Sequence, residues 1–458
     1  MNLFYRKNRT ISFILLTLML ILLTSCSNAE TNTDSTKTDP QVSETVESFS
    51  EEETKPVEMN LWYTNELLEA YFNEAARVYG EENNVLVTPK LVSTIDYLES
   101  INKSNIEKNS IVDVYILNSE SIEKAYLAGL ALENDANVYS VANYPRVALS
   151  ASTYQNKLVG YPLYFDTAFF LYNKSFVEEA PKTFAEIIEF SQTFESSEYE
   201  GVEGILWWDV RDLYFNYAFA GAHLELGGVN GDDRSIVDIN NEEVINALTS
   251  YKYLNQKLYF DTEGLTYNTV LQKFLEGKLI YTLGSSRSLK EIEAAEIDYG
   301  IAVIPDLLDG VETKGISINY VAVVNPYTED EDYAKDLAKF ISYDFADSFY
   351  SYTGRISSKR NTNYENPEWA HVIEQYETTA TMPKLMETTN FWVELEVAMN
   401  NIWNATLNEG KAGEASGDAE KGFDESEEEV LQRIKEEVKG IVTDQMTKVQ
   451  DQMVLQLQ

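Results

Sequence analysis

The chain has 458 residues, with 76 acids against 35 lysines and arginines, a formal charge of −41, one cysteine and two histidines. So negative a field disfavours nucleic acid, whose binding depends on basic groups displacing counterions, and suits a solvated surface or a basic partner. With only His223, His371 and Cys26 available, a His–Cys zinc set, a thiol nucleophile and most Ser–His triads are excluded.

In chain order, Arg6, Lys7 and Arg9 precede the apolar run "ISFILLTLMLILLT", the pattern of a secretory signal. The run is shorter than the roughly 20 residues that cross a bilayer. "LTSC" at 23 to 26 resembles a bacterial lipobox, which predicts a signal peptide over 1–25 and a lipid on Cys26; a one-pass anchor or an incidental cysteine is the alternative. No second cysteine exists, so the fold holds together without a disulfide. Residues 26–56 are rich in Ser, Thr and Glu and nearly free of apolar side chains, too polar to offset the entropy of ordering. They predict a tether with an end-to-end distance of about 30 Å.

The body starts near Val57 and is longer than one core usually serves, so two lobes are expected. "VEMNLWYT" reads as a strand, the stretch from Glu66 to Tyr79 as a helix, and "NVLVTPKLV" and "SIVDVYIL" as strands, with a helix in "SIEKAYLAGL". Alternating strand and helix predicts a mostly parallel sheet flanked by helices, with ligands beyond the carboxyl ends of the strands. That puts Tyr63, Thr64, Asn118, Ser119 and Glu120 at the edge of a site. "GYPLYFDTAFFLYNKS" at 160 to 175 is strand material interrupted by one acid, Asp166; an unpaired buried charge is costly, so it must face a cleft, a partner or a ligand.

Further on, Thr183 is placed to cap a helix, with Glu186 three residues later, and Asn240 or Asn241 to cap another whose apolar face is Val244, Ile245, Leu248 and Tyr251. "FLEGKLIYTLGSS" reads as a helix end, a glycine stop and a buried strand, and "YGIAVIPDL" and "ISINYVAVVNP" as further crossovers. Residues 409–429 are acid-rich and coreless, a solvated insertion. A long final helix follows, amphipathic at Val430, Ile434, Val438 and Ile441, which either packs on the second lobe or protrudes.

No glycine loop has the spacing to cradle phosphate, and the aspartates of "GVNGDDRSIVDINNEE" lack the spacing of a calcium loop; neither metal nor cofactor is expected. Paired carboxylates for glycoside hydrolysis remain available, although no local pattern selects a pair. Aromatic rings beside polar groups are the stronger signal: Trp207 and Trp208 precede Asp209, Tyr214 follows Asp212, and Phe391 and Trp392 follow Asn390. Such rings suit the C–H faces of a sugar while neighbours bond its hydroxyls, and each taken alone also suits a core.

"LVGYPLYFDTAFFLYNKSFVEEAPKTFAEI", "VLQKFLEGKLIYTLGSS" and "NFWVELEVAMNNIW", in this order behind a lipobox, resemble the family of extracellular solute-binding proteins that includes maltose-binding protein, over about Met59 to Trp403. The resemblance implies a two-lobed α/β fold of the type II periplasmic-binding kind, joined by crossing strands, with lobes of 57–164 with 318–364 and 165–317 with 365–458. It implies capture of a sugar or oligosaccharide by lobe closure and delivery, unaltered, to the permease subunits of an ABC importer by a lipid-anchored, extracytoplasmic monomer without catalytic residues. Asp166 falls where the family has a sugar-binding glutamate, and Asp212, Tyr214 and Trp392 fall on family contacts; Trp208, Asn319 and Arg287 complete the implied set. This chain departs from the family where Arg287 and Leu117 replace tryptophans, Leu67 a lysine, and Glu120-Ser121 an Asp-Arg pair, so the resemblance does not by itself imply maltodextrin specificity. Arg287 stacks as a planar cation, binds a carboxylate such as that of a uronic acid, or serves a scaffold ion pair. A surface glycoside hydrolase is the rival reading, and an adhesive lipoprotein the third.

Overall fold

The computed structural model describes residues 55–458 apart from 109–110, 196, 198, 259, 361 and 408–426. The signal segment, Cys26, the tether up to residue 54 and most of the acid-rich insertion therefore lie outside the described residues. Among the described residues no helix is long and apolar enough to cross a membrane.

Twelve strands are described: β1 (Val57–Tyr63), β2 (Val85–Leu91), β3 (Val114–Asn118), β4 (Thr153–Tyr154), β5 (Lys157–Leu158), β6 (Tyr161–Asn173), β7 (Gly204–Trp207), β8 (Glu225–Gly227), β9 (Asp233–Asp238), β10 (Leu279–Ser285), β11 (Tyr299–Ala302) and β12 (Ser317–Val324). Eight of them form one curled sheet in the order β2-β1-β3-β12-β6-β10-β7, with β11 also on β6. The predicted parallel pairing is found where β1 meets β2 and β3, and where β10 meets β7. Each antiparallel pairing in this sheet involves β6 or β12.

Strand β6 explains the fold. Twelve of its thirteen residues are buried, as a near-continuous apolar run predicts for a strand covered on both faces. Its first half pairs with β12, ending at Thr167 opposite Ser317; its second half pairs with β10 and β11, starting at Ala168 opposite Ser285. The strand changes partners one residue after Asp166. The close approach of β10 requires Gly284, where a Cβ would sit 2.5 Å from the Phe169 ring.

Period-two alternation divides the first part of the sheet between two cores. Leu61, Tyr63, Val114, Ile116, Ala322 and Val324 pack on one face, with the helices Glu69–Asn83, Glu331–Lys339 and Trp369–Thr378. Trp62, Tyr115, Leu117, Val321 and Val323 pack on the other, with the helix Tyr97–Glu107. A third core holds the helices Phe184–Thr193, Glu242–Lys257, Thr389–Asn404 and Glu427–Leu457. The caps form as read: Thr183 accepts from the Glu186 amide at 3.3 Å, and Asn241 rather than Asn240 accepts from the Val244 amide at 2.8 Å, each contributing about 1 kcal/mol.

The terminal helix packs; it does not protrude. Its buried residues are Val438, Val442, Met446, Val449 and Met453, so the inward face runs through Val442 where the periodicity pointed to Ile441. Gln450 accepts hydrogen bonds from the Ile239 and Asn240 amides at 3.1 and 3.0 Å, tying this helix to the start of Glu242–Lys257.

Candidate ligand cleft

The ends of β1 and β3 come together as the parallel topology requires. Beyond them opens a cavity of about 1070 Å³, lined by Thr64, Asn65, Asp96, Asn118, Lys124 and Tyr320 among others. Tyr320, on β12, is stacked flat on Tyr164 of β6, with ring centroids 4.3 Å apart and planes 4° from parallel, and Asn65 donates to the Tyr164 hydroxyl at 3.5 Å. A smaller hollow of about 230 Å³ is lined by Tyr214, Tyr217, Ile318, Met382, Trp392 and Val393. Tyr320 and Ile318 are two residues apart on β12, so the strand contributes to both recesses.

Asp166, opposite Ile318 in the β6–β12 register, is only 3% exposed. Arg287 Nε donates to its Oδ2 at 3.2 Å, and Arg355 Nε lies 3.6 Å from its Oδ1. The Arg287 guanidinium also lies over the Tyr214 ring, 4.8 Å from its centroid, and the Tyr214 hydroxyl meets Ser285 Oγ at 3.1 Å. Burial pushes the Tyr214 hydroxyl far above its ordinary range, and the nearby Asp166 charge adds to it. Burial likewise raises the Glu120 carboxyl, against a hydrogen bond from the Trp392 side chain that favours its charged form. Glu120 follows β3 and Trp392 lies in the helix Thr389–Asn404, so this contact joins the two sides of the cleft.

The predicted site residues thus divide. Thr64, Asn118, Glu120, Tyr214, Arg287 and Trp392 line these recesses or touch a residue that does. Asp212 stands one step behind, accepting from the Tyr214 amide at 2.9 Å as the cap of a short helix. Asp166 is buried and ion-paired rather than exposed to the recesses: Oδ2 is hydrogen-bonded by Arg287, while Oδ1 has Arg355 nearby but no hydrogen-bond partner among the described residues. Four others are turned inward. Tyr63 falls on the core-facing side of β1. Trp208 is 1% exposed in the third core, its indole N–H donating to Asn216 at 2.9 Å. Asn319 is buried, accepting from the Tyr376 hydroxyl at 2.6 Å, and Ser119 is buried at the start of a single helical turn.

Sequence reasoning missed Tyr320, Tyr164, Asn65 and Arg355. For Tyr320 a signal exists: it alternates with Ile318 along β12, the same period that places Tyr164 and Asp166 along β6. Arg355 follows Gly354, the left-handed residue (φ 68°) that ends the helix Phe349–Thr353, and nothing local links it to Asp166. Among the described residues no group of acids, histidines or cysteines is placed to hold a metal ion.

Comparison with known proteins agrees with this architecture. The family described as "Bacterial extracellular solute-binding protein" matches residues 74–370. The maltodextrin-binding protein MdxE of Bacillus subtilis is 27% identical over 346 residues, 66% of this chain and 81% of the relative. A maltooligosaccharide ABC transporter solute-binding lipoprotein of Streptococcus pneumoniae is 23% identical over 376 residues, 78% of this chain and 86% of the relative. The solved extracellular solute-binding protein of Staphylococcus aureus, in complex with maltose, matches with a TM-score of 0.68 at 20% identity, over 86% of this chain and 98% of that one. The fold is the two-lobed α/β fold of these proteins, and the chain belongs to the family of bacterial extracellular solute-binding proteins.

Proposed function

We propose that the protein captures a sugar or oligosaccharide outside the cytoplasm by closing two lobes around it, and hands it unaltered to an ABC importer. The relatives named for maltodextrin and maltooligosaccharide binding support this reading. The observation that carries it is the pairing of ring faces with fixed polar groups on both sides of the crossing strands. Tyr320, braced by Tyr164, stands with Thr64 and Asn118 on one side, and Trp392 with Tyr214 on the other.

In this reading the lobes comprise 57–164 with 318–364 and 165–317 with 365–458, and closure is a population shift, because a ligand touches both only when they are shut. Micromolar affinity requires about 8 kcal/mol net, within reach of a few stacks and charge-assisted hydrogen bonds. Cys26 carries the lipid that keeps the monomer at the outer face of the membrane, beside the permease.

Isothermal titration with a panel of oligosaccharides, alongside an assay for reducing ends, tests the proposal. Saturable binding without new reducing ends is expected, and Trp392→Ala should weaken the best ligand at least tenfold with little change in melting temperature. Release of reducing ends would convert the reading to that of a hydrolase.

A further inference from the structure

Beside Tyr214, which lines the smaller recess, lies a charged cluster. Its buried carboxylate, Asp166, is taken up by Arg287 and Arg355, so one negative charge faces two positive ones. A carboxylate left open there would accept hydrogen bonds from sugar hydroxyls; a guanidinium can only donate. Of this cluster the carboxylate of Asp166 is buried whereas the Arg287 side chain is partly exposed, so the group presented to solvent is a donor.

Arg287 is also held in place for a ligand. Its Nε is bound to Asp166 at 3.2 Å and its plane is braced over Tyr214, which fixes both the direction and the rotation of the guanidinium. Its side chain is 43% exposed, and among the described residues its guanidinium hydrogen-bonds through Nε alone, which leaves the terminal nitrogens as an open edge. Two parallel N–H groups on a fixed plane match the two oxygens of a carboxylate.

From this geometry we propose that Arg287 is the specificity-determining residue of the cleft, and that the ligand is a saccharide carrying a carboxylate, of the uronic-acid class. The inference rests on the sugar-capture reading above. Arg355, deeper and 10% exposed, lies 3.6 Å from the second carboxylate oxygen without a hydrogen bond to it, and acts through the charge of Asp166 as a positioning residue.

The test titrates the protein with oligomers of galacturonic, glucuronic and mannuronic acid, with the methyl esters of the same oligomers, and with maltotriose. At least one acid should bind about 10- to 100-fold more tightly than its own ester, the span of a charge-assisted bidentate contact, and that advantage should shrink as salt is raised. Arg287→Gln should abolish the difference between acid and ester, and Arg287→Lys, which keeps the charge without the fork, should restore only part of it. The comparison of acid with ester uses the unaltered protein and so does not depend on a variant folding; ligand-free melting curves check the variants. Tighter binding of an ester or of maltotriose than of every acid overturns the assignment of Arg287 and leaves sugar capture standing. Absence of binding by any saccharide overturns both.

Discussion

Asp166 shows what one residue's surroundings add to its identity. An acid in a buried run has to be compensated, and that much could be read before any coordinates; the identity of the compensating groups could not, because Arg287 and Arg355 lie 121 and 189 positions away in the chain. Tyr63 and Trp208 teach the complementary lesson. Tyr63 stands beside Thr64, which lines the larger recess, and a shift of one position along a strand turns a side chain from cleft to core; Trp208 is held inward by its own core packing. The ion-pair arrangement has a measurable cost. In Asp166→Asn both guanidiniums lose their counter-charge, one of them nearly buried, and denaturant unfolding should show a loss of about 3 kcal/mol.

At the scale of elements, long runs with one clear period were legible and short or ambiguous ones were not. Strand β6 and the helix Glu242–Lys257 formed as read, because apolar continuity marks the strand and a pair of asparagines the helix start, with Asn241 serving as the cap. The two-residue pair β4 and β5 and the three-residue β8 are too short for a period to register. In the terminal helix two β-branched apolar residues, Ile441 and Val442, are adjacent, and spacing from Val438 by three or by four is equally helical. Only the surfaces of the neighbouring helices decide for Val442. Met446 follows on that same face and is fully buried, so Met446→Ala should lower the unfolding free energy by about 2–5 kcal/mol, read as a lower denaturation midpoint. A negligible change would mean that this helix is not part of the cooperative fold.

Across the whole molecule, segments distant in the chain are tied by a polar cluster away from the aromatic recesses. Lys384 is buried and donates through Nζ to the Ser150 and Thr153 carbonyls, both at 2.7 Å, while the fully buried Glu123 meets Arg234 at 2.8 Å and the Met386 amide at 2.7 Å. Burial pulls the Lys384 ammonium down from 10.5 to about 8, against the favourable charge of Asp232. The folded pKa is thus below the unfolded one, and between about pH 8 and 10.5 the unfolded chain binds more protons at this site. Stability from this group therefore rises with pH across that window. Unfolding measured at several pH values should show wild type gaining on Lys384→Met as pH increases from 8 to 10, and a constant gap would refute the linkage.

The recess beside Glu120 has one more consequence. Of the chain's six tryptophans, Trp208, Trp369 and Trp403 are sealed in the interior, whereas Trp392 borders open space and touches an ionisable neighbour. Under the proposed capture, an incoming solute would replace that neighbourhood for Trp392 while leaving the three sealed indoles undisturbed. Trp392 would then serve as a built-in fluorophore, its emission reporting occupancy without an attached dye.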